Sequence, residues 1–150
     1  MYGVMHSSTY RRKYAEFLKI DFPRIPFTDD NSTFESLSAL GWALIQAHLL
    51  KTIPATGLGE YTGSGANVVG KPTHSSGKLY INPAQYFDNV PAEVYTFRIG
   101  GYQVLDKYLK DRKGRTLSLD EIENVEKVVN VLAFTIEQMK AIDDLTRDWI

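Results

Sequence analysis

The chain contains no cysteine, which excludes thiol catalysis, structural disulfides and thiolate metal sites and suits a reducing compartment. Its three histidines, His6, His48 and His74, stand far apart, and none falls in a His-x-x-x-His or His-Glu spacing, so no zinc site is expected. No apolar run approaches the roughly 20 residues that span a bilayer. The stretch after Met1 reaches Tyr10-Arg11-Arg12-Lys13 without an apolar segment of signal-peptide length. A soluble, cytoplasmic protein with no membrane partner is expected. Net charge is scarce too, because 17 Lys and Arg nearly balance 18 Asp and Glu for a formal −1. Affinity for a charged partner must therefore come from the arrangement of charge and not from its total.

At 150 residues, 43% hydrophobic and 23% charged, the composition is that of an ordinary globular protein large enough to bury a core without staples. One domain over 1–150 is expected, with a helical lead-in over 1–51, strands and loops over 52–99 and a helical part over 100–150. Charge varies along it. Residues 9–24 carry Arg11, Arg12, Lys13, Lys19 and Arg24 against Glu16 and Asp21. The run 98–115 sets Arg98, Lys107, Lys110, Arg112, Lys113 and Arg115 against Asp106 and Asp111. From Thr116 onward acids dominate, so the two basic segments can share a face while the acidic helix points elsewhere. The plain alternative for 98–115 is a helix end, with cations facing the dipole and Gly114 behind them.

Tyr10, Tyr14, Phe17 and Leu18 have helical spacing, and a helix from about Thr9 must stop before Phe22-Pro23. Pro23 and Pro26 then impose an extended connector. Ser32-Thr33-Phe34-Glu35 reads as a capping box opening a helix to about Leu50, with Phe34, Leu37, Leu40, Leu44, Ile45 and Leu49 as its apolar stripe. Between Pro54 and Val94 glycine and proline cut the chain into short pieces. Asn67–Val69, Leu79–Ile81 and Val94–Phe97 are the predicted strands there. After Gly100-Gly101 a helix is expected from Tyr102 to about Asp111, ended by Gly114. Ser118-Leu119-Asp120-Glu121 is a second capping box. Behind it Ile122, Val125, Val129, Leu132, Ile136 and Met139 form the seam of a long helix. The fold class expected is α+β: N-terminal helices, a small, mostly antiparallel sheet in the middle, then a short helix and a long C-terminal helix.

No catalytic constellation emerges. Tyr61-Thr62-Gly63-Ser64-Gly65 has cofactor-loop glycines but neither the apolar strand before it nor the helix after it that such a loop requires. Ser64 lacks the Gly-x-Ser-x-Gly elbow and a base. Asn82-Pro83-Ala84-Gln85-Tyr86 lacks the second proline of the Asn-Pro-Pro-Tyr loop of amino methyltransferases. Asp29-Asp30 and Asp143-Asp144 read as solvated pairs. What remains is polar and aromatic material beside positive charge, including Tyr80, Asn82, Gln85, Tyr86, Asn89, Arg98, Tyr102 and Gln103. Arginine, asparagine and glutamine can pair with base edges, and lysine and arginine can hold phosphates.

Two blocks of sequence carry a family likeness. His6-Ser7-Ser8-Thr9-Tyr10-Arg11-Arg12-Lys13-Tyr14 onward to Asp21-Phe22-Pro23-Arg24-Ile25-Pro26 resembles the segment just beyond the catalytic domain in large N6-adenine DNA methyltransferases. These are single-polypeptide restriction-modification enzymes, including the type ISP class. Tyr80-Ile81-Asn82, Gln85-Tyr86-Phe87 and Ile99-Gly100-Gly101-Tyr102-Gln103 through Arg115 are similar to the C-terminal specificity (target-recognition) region of the same enzymes, and Thr135–Asp143 continues the likeness. The resemblance implies a non-catalytic module that recognises double-stranded DNA, a C-terminal fragment or stand-alone relative of such an enzyme. It implies no cofactor in this chain, since S-adenosylmethionine would belong to a methyltransferase domain that is missing here. Charge reasoning then places DNA on Arg98, Tyr102, Gln103, Lys107, Lys110, Arg112, Lys113 and Arg115. The alternative is an interaction or scaffold module whose 122–139 seam docks a methyltransferase or helicase domain.

Overall fold

A computed structural model describes residues 1–150, which divide into two compact units, Met1–Thr52 with Phe134–Ile150, and Ile53–Ala133.

The first unit is helical: α1 (Tyr2–Met5), α2 (Ser8–Lys13), α3 (Ala15–Leu18), α4 (Asn31–His48) and the end of a long C-terminal helix. The helix expected from Thr9 is thus in two pieces, parted at Tyr14 (φ −107°, ψ 19°), where neither glycine nor proline marks the break. Ser7 caps α2, accepting the Tyr10 N–H at 3.1 Å, and its buried hydroxyl also donates to Asp143 Oδ1 at 2.9 Å. The cap of α4 is Asp30, whose carboxylate accepts the Thr33 N–H at 2.7 Å. This displaces the expected Ser32 box: an ionised Asp is as good a cap as Ser, and its position starts the helix two residues earlier, leaving Ser32 inside it. Asp30 is accordingly no idle member of an acidic pair. Val4, Tyr10, Leu37, Leu44, Ile142 and Ile150 form the core. Phe34 and Leu49, expected in the stripe, are exposed.

The second unit is built on a four-stranded antiparallel sheet of β1 (Tyr61–Gly63), β2 (Thr73–Ser75), β3 (Lys78–Asn82) and β4 (Gln85–Phe87), in the order β1-β4-β3-β2. Ser76 and Gly77, both at positive φ (51° and 73°), make the two-residue turn between β2 and β3. Asn82 Oδ1 accepts the N–H groups of Ala84 and Gln85, each at 2.9 Å, and so shapes the turn into β4. Along β3 and β4, Leu79, Ile81 and Phe87 are fully buried, the period-two pattern of a half-buried sheet.

Two predicted strands are corrected. Asn67–Val69 makes only one bridge, Val68 to Thr116, although its backbone also holds the segment after Gly114 through Val69 N–H to Arg115 O (2.9 Å) and Leu117 N–H to Asn67 O (2.8 Å). Of Val94–Phe97, Val94 and Tyr95 end the one-turn helix α5 (Ala92–Tyr95) and Thr96 and Phe97 leave it, because Pro91 starts a helical turn and its carbonyl accepts from Val94 and Tyr95. There follow β5 (Arg98–Ile99), β6 (Tyr102–Gln103), α6 (Val104–Lys110) and α7 (Leu119–Thr146). Tyr102 and Gln103 are therefore strand, not helix. The second capping box forms in full: Glu121 N–H donates to Ser118 Oγ at 3.1 Å and Ser118 N–H to Glu121 Oε2 at 3.0 Å. Ile122, Val125, Val129 and Leu132 of the α7 seam are buried, and Ile136 and Met139 are half-buried. No helix is long and apolar enough to cross a membrane.

Candidate nucleic-acid interface

In the second unit, β5 and β6 pair Arg98 with Gln103 and Ile99 with Tyr102 around a two-residue Gly100-Gly101 turn. Gly100 has φ +61° and Gly101 does not have positive φ, the pattern of a type II′ turn that only glycine enters without strain. Arg98 Nη1 donates to Gly101 O at 2.9 Å across that turn. The chain passes directly into α6, where Leu105 and Leu109, four apart, are buried, while Lys107 and Lys110 are exposed.

Hairpin and helix line an open hollow of about 600 Å³ that gathers Arg98, Tyr102, Gln103, Lys107 and Lys110 with Lys71. Asp106 and Asp111 also line it, so four cations meet two carboxylates. Lys107 Nζ pairs with Asp111 at 3.0 Å and lies 5.2 Å from the Tyr102 ring centroid; Lys110 Nζ pairs with Asp106 at 2.7 Å. The Lys107–Asp111 pair is a solvent-facing helix pair, worth about 0–1 kcal/mol, so a phosphate competes for that ammonium at small cost, whereas in the other pair Lys110 is open and Asp106 is only 16% exposed.

Asp106 is the fixed member of this set. It accepts the Tyr95 hydroxyl at 2.7 Å, and Tyr95 is stacked on His74 (5.0 Å, 10°), whose Nε2 lies 2.7 Å from Val90 O and donates to it. Burial, followed by the bond to Asp106 and its charge, pushes the Tyr95 phenol up to about 12. Burial acts to raise the Asp106 carboxyl, but hydrogen bonds from Lys110 and Tyr95 and the Lys110 charge outweigh it and hold the group below the ordinary carboxylate range.

Arg112, Lys113 and Arg115 do not line the hollow. The Arg112 guanidinium lies 3.5 Å from the Tyr108 ring centroid, donates to Tyr108 O at 3.0 Å and to Glu121 at 3.3 Å, and its side chain is only 24% exposed. Arg115 reaches the same Glu121 oxygen at 3.3 Å and is more open, and Lys113 is exposed. The Ser118 N–H, then Arg112 and Arg115, hold the Glu121 carboxyl below its usual range. Arg112 thus joins the end of α6 to the start of α7, the helix-terminating alternative read from the sequence.

Sequence reasoning missed Lys71, which lies 27 residues before Arg98 in a Gly-Lys-Pro stretch without local basic context. It misread the amides of β3 and β4. Gln85 is buried; its Oε1 accepts from Asn67 N–H (2.9 Å) and Asn82 Nδ2 (3.1 Å), and its Nε2 donates to Asn67 Oδ1 (2.7 Å). Their hydrogen bonds are spent on holding the 64–68 loop to the sheet, not on an outside partner.

Residues 1–141 match the family model of the Type ISP C-terminal specificity domain. Among solved structures the chain is similar to the ATP-dependent Type ISP restriction-modification enzyme LlaBIII bound to DNA, with TM-score 0.64 and 21% identity over 96% of this chain and 10% of that one. It is similar to a nuclease-deletion mutant of the Type ISP restriction-modification enzyme LlaGI in complex with a DNA substrate mimic (TM-score 0.59, 24% identity, 99% of this chain, 15% of that chain). It is also similar to DrdV in a DNA complex (TM-score 0.70, 20% identity, 95% of this chain, 17% of that chain). At these identities the likeness is one of fold, and the chain spans no more than 17% of these relatives' length. No curated protein matches it. The family match agrees with the likeness carried by the His6–Pro26 and Tyr80–Arg115 blocks: the chain belongs to the Type ISP C-terminal specificity domain family.

Proposed function

We propose that this chain is a DNA target-recognition module that performs no chemistry of its own, and that in a longer polypeptide it would serve a restriction-modification methyltransferase, whose S-adenosylmethionine would bind elsewhere. The observation that carries the reading is the hollow, where Lys71, Arg98, Lys107 and Lys110 stand around Tyr102 and Gln103. This combination supplies both halves of a nucleic-acid contact: cations for phosphates, and arginine and glutamine, whose paired donors and acceptors match guanine and adenine edges. The family supports it, as do the three similar structures, each solved with DNA. Lys113 and Arg115, exposed on the turn after α6, would add outlying phosphate contacts, whereas Arg112 keeps a structural duty. Docking through the α7 seam is the poorer reading, because the buried apolar residues of that seam are already covered by this chain.

The test is a titration of the full 150-residue chain with random-sequence duplex between about 50 and 200 mM salt. Lys71→Ala and Lys107→Ala should each weaken binding and reduce the slope of log K against log salt by about 1. Arg112→Ala should lower stability instead and leave the slope alone. Absence of salt-dependent binding by the unaltered chain would refute the reading.

A further inference from the structure

We propose that the Arg98–Gln103 hairpin is the element that enters the DNA major groove and that Ile99 reads a thymine methyl group there; this rests on the DNA-binding reading above. Ile99 and Tyr102 are 64% and 63% exposed, and they sit directly opposite each other in the two-stranded pairing. A single exposed apolar residue needs no explanation. Two paired on a ribbon that has no third strand form an exposed face beside the basic hollow, with the Tyr102 ring 5.2 Å from Lys107 Nζ. Strand alternation sends the Arg98–Gln103 pair to the other face of the ribbon. The ribbon therefore carries side chains for hydrogen-bonding guanine and adenine on one side and an apolar contact for thymine on the other, the two kinds of direct major-groove readout.

The hairpin is also shaped and held for the task. A two-stranded ribbon fits a groove about 12 Å wide, and a Cβ added at Gly100 or Gly101 would meet nothing within 4 Å, so the tip is free to advance. Its base is closed by the Val104 N–H bond to Phe97 O at 3.2 Å and its turn by Arg98 to Gly101 O. A prefolded reader loses little conformational entropy on binding. Lys71, Lys107 and Lys110 around it would then fix register on phosphates, and the ribbon would supply sequence.

The experiment uses the full chain. A binding motif is selected from a random duplex pool, and each thymine in it is replaced in turn by deoxyuridine, which removes only the methyl group. The unaltered chain should bind about four-fold more weakly at one or more substituted positions, the effect of one buried methyl. Ile99→Ala should lose that sensitivity while keeping its thermal unfolding and its salt slope on random duplex, and Tyr102→Ala should select a less defined motif. Three outcomes overturn the hairpin alone: the same motif and uridine sensitivity in both variants, a motif with no A·T pair, or no uridine effect in the unaltered chain. Failure of the unaltered chain to bind any duplex overturns the DNA-binding reading itself.

Discussion

Single residues settle several points that residue type alone leaves open. Gly41 sits inside α4, where alanine would ordinarily be favoured by close to 1 kcal/mol. Here a Cβ would come within 2.9 Å of Gly3 N, and a Cβ on Gly3 would come within 2.9 Å of Leu37 O, so α1 and α4 touch through bare backbone. Gly41→Ala should therefore lower stability by about 1–3 kcal/mol, against the helix trend, as measured by chemical denaturation; a stabilised variant would show that α1 can move away freely. Nothing in the spacing of Gly3 and Gly41 announces this pairing, because it joins residues remote in sequence. The same holds for Gln85 and Asn82, whose amides look free for base contacts in the sequence but are satisfied internally.

At the scale of elements, local signals served well where a cap or a period was strong and failed where three residues had to be assigned. The Ser118 capping box and the α7 seam formed as read, since both ends of a capping box lie within one turn and need no tertiary help. Ser118→Ala should cost about 1 kcal/mol, seen as a shift in denaturant midpoint. Glu121 ties this box to Arg112 and Arg115, and its carboxyl is held below the ordinary range. A carboxyl with a depressed folded pKa stabilises above its unfolded value near 4.5, and that contribution drains away as pH falls through the lower folded value. Glu121→Gln should accordingly flatten the acid limb of the stability profile; a limb of unchanged steepness would place the acid sensitivity elsewhere. In contrast β1, β4 and α5 escaped the sequence reading, being three or four residues long and dependent on partners distant in the chain.

Across the whole molecule a near-neutral total conceals segregated charge, and the hollow gathers Lys71 with the 98–110 run into one basic site. Stability should carry a second pH signature from the N-terminal residues. Tyr2 OH lies 2.6 Å from His48 Nδ1, His48 Nε2 lies 2.8 Å from Thr135 Oγ1, and the His6 and His48 ring centroids are 5.3 Å apart. Burial lowers both histidines; the His6 charge adds to it for His48, and for His6 the Arg11 charge adds to it while a bond to the Tyr2 backbone opposes it. A histidine with a lowered folded pKa leaves the unfolded chain binding more protons just below 6.5, so its contribution is intact above 6.5 and is lost as pH falls below it. The thermal midpoint should drop between about pH 7 and pH 5.5, and His48→Gln should reduce that drop; an equal drop in the variant would assign it to other groups.

The sequence by itself determined the α+β class, the long helix with its cap and seam, the break at Gly100-Gly101 and the family likeness. Each rests on a local period, a cap or a contiguous block of residues. Only the tertiary structure decided which cations face a common hollow. It brought in Lys71 from a distant loop, turned Arg112 back onto Tyr108 and Glu121, and spent the Gln85 and Asn82 amides inside the sheet. The physical reason is that charge and hydrogen-bonding capacity belong to residue types, but whether they are used inward or offered outward depends on neighbours that the order of the chain does not name.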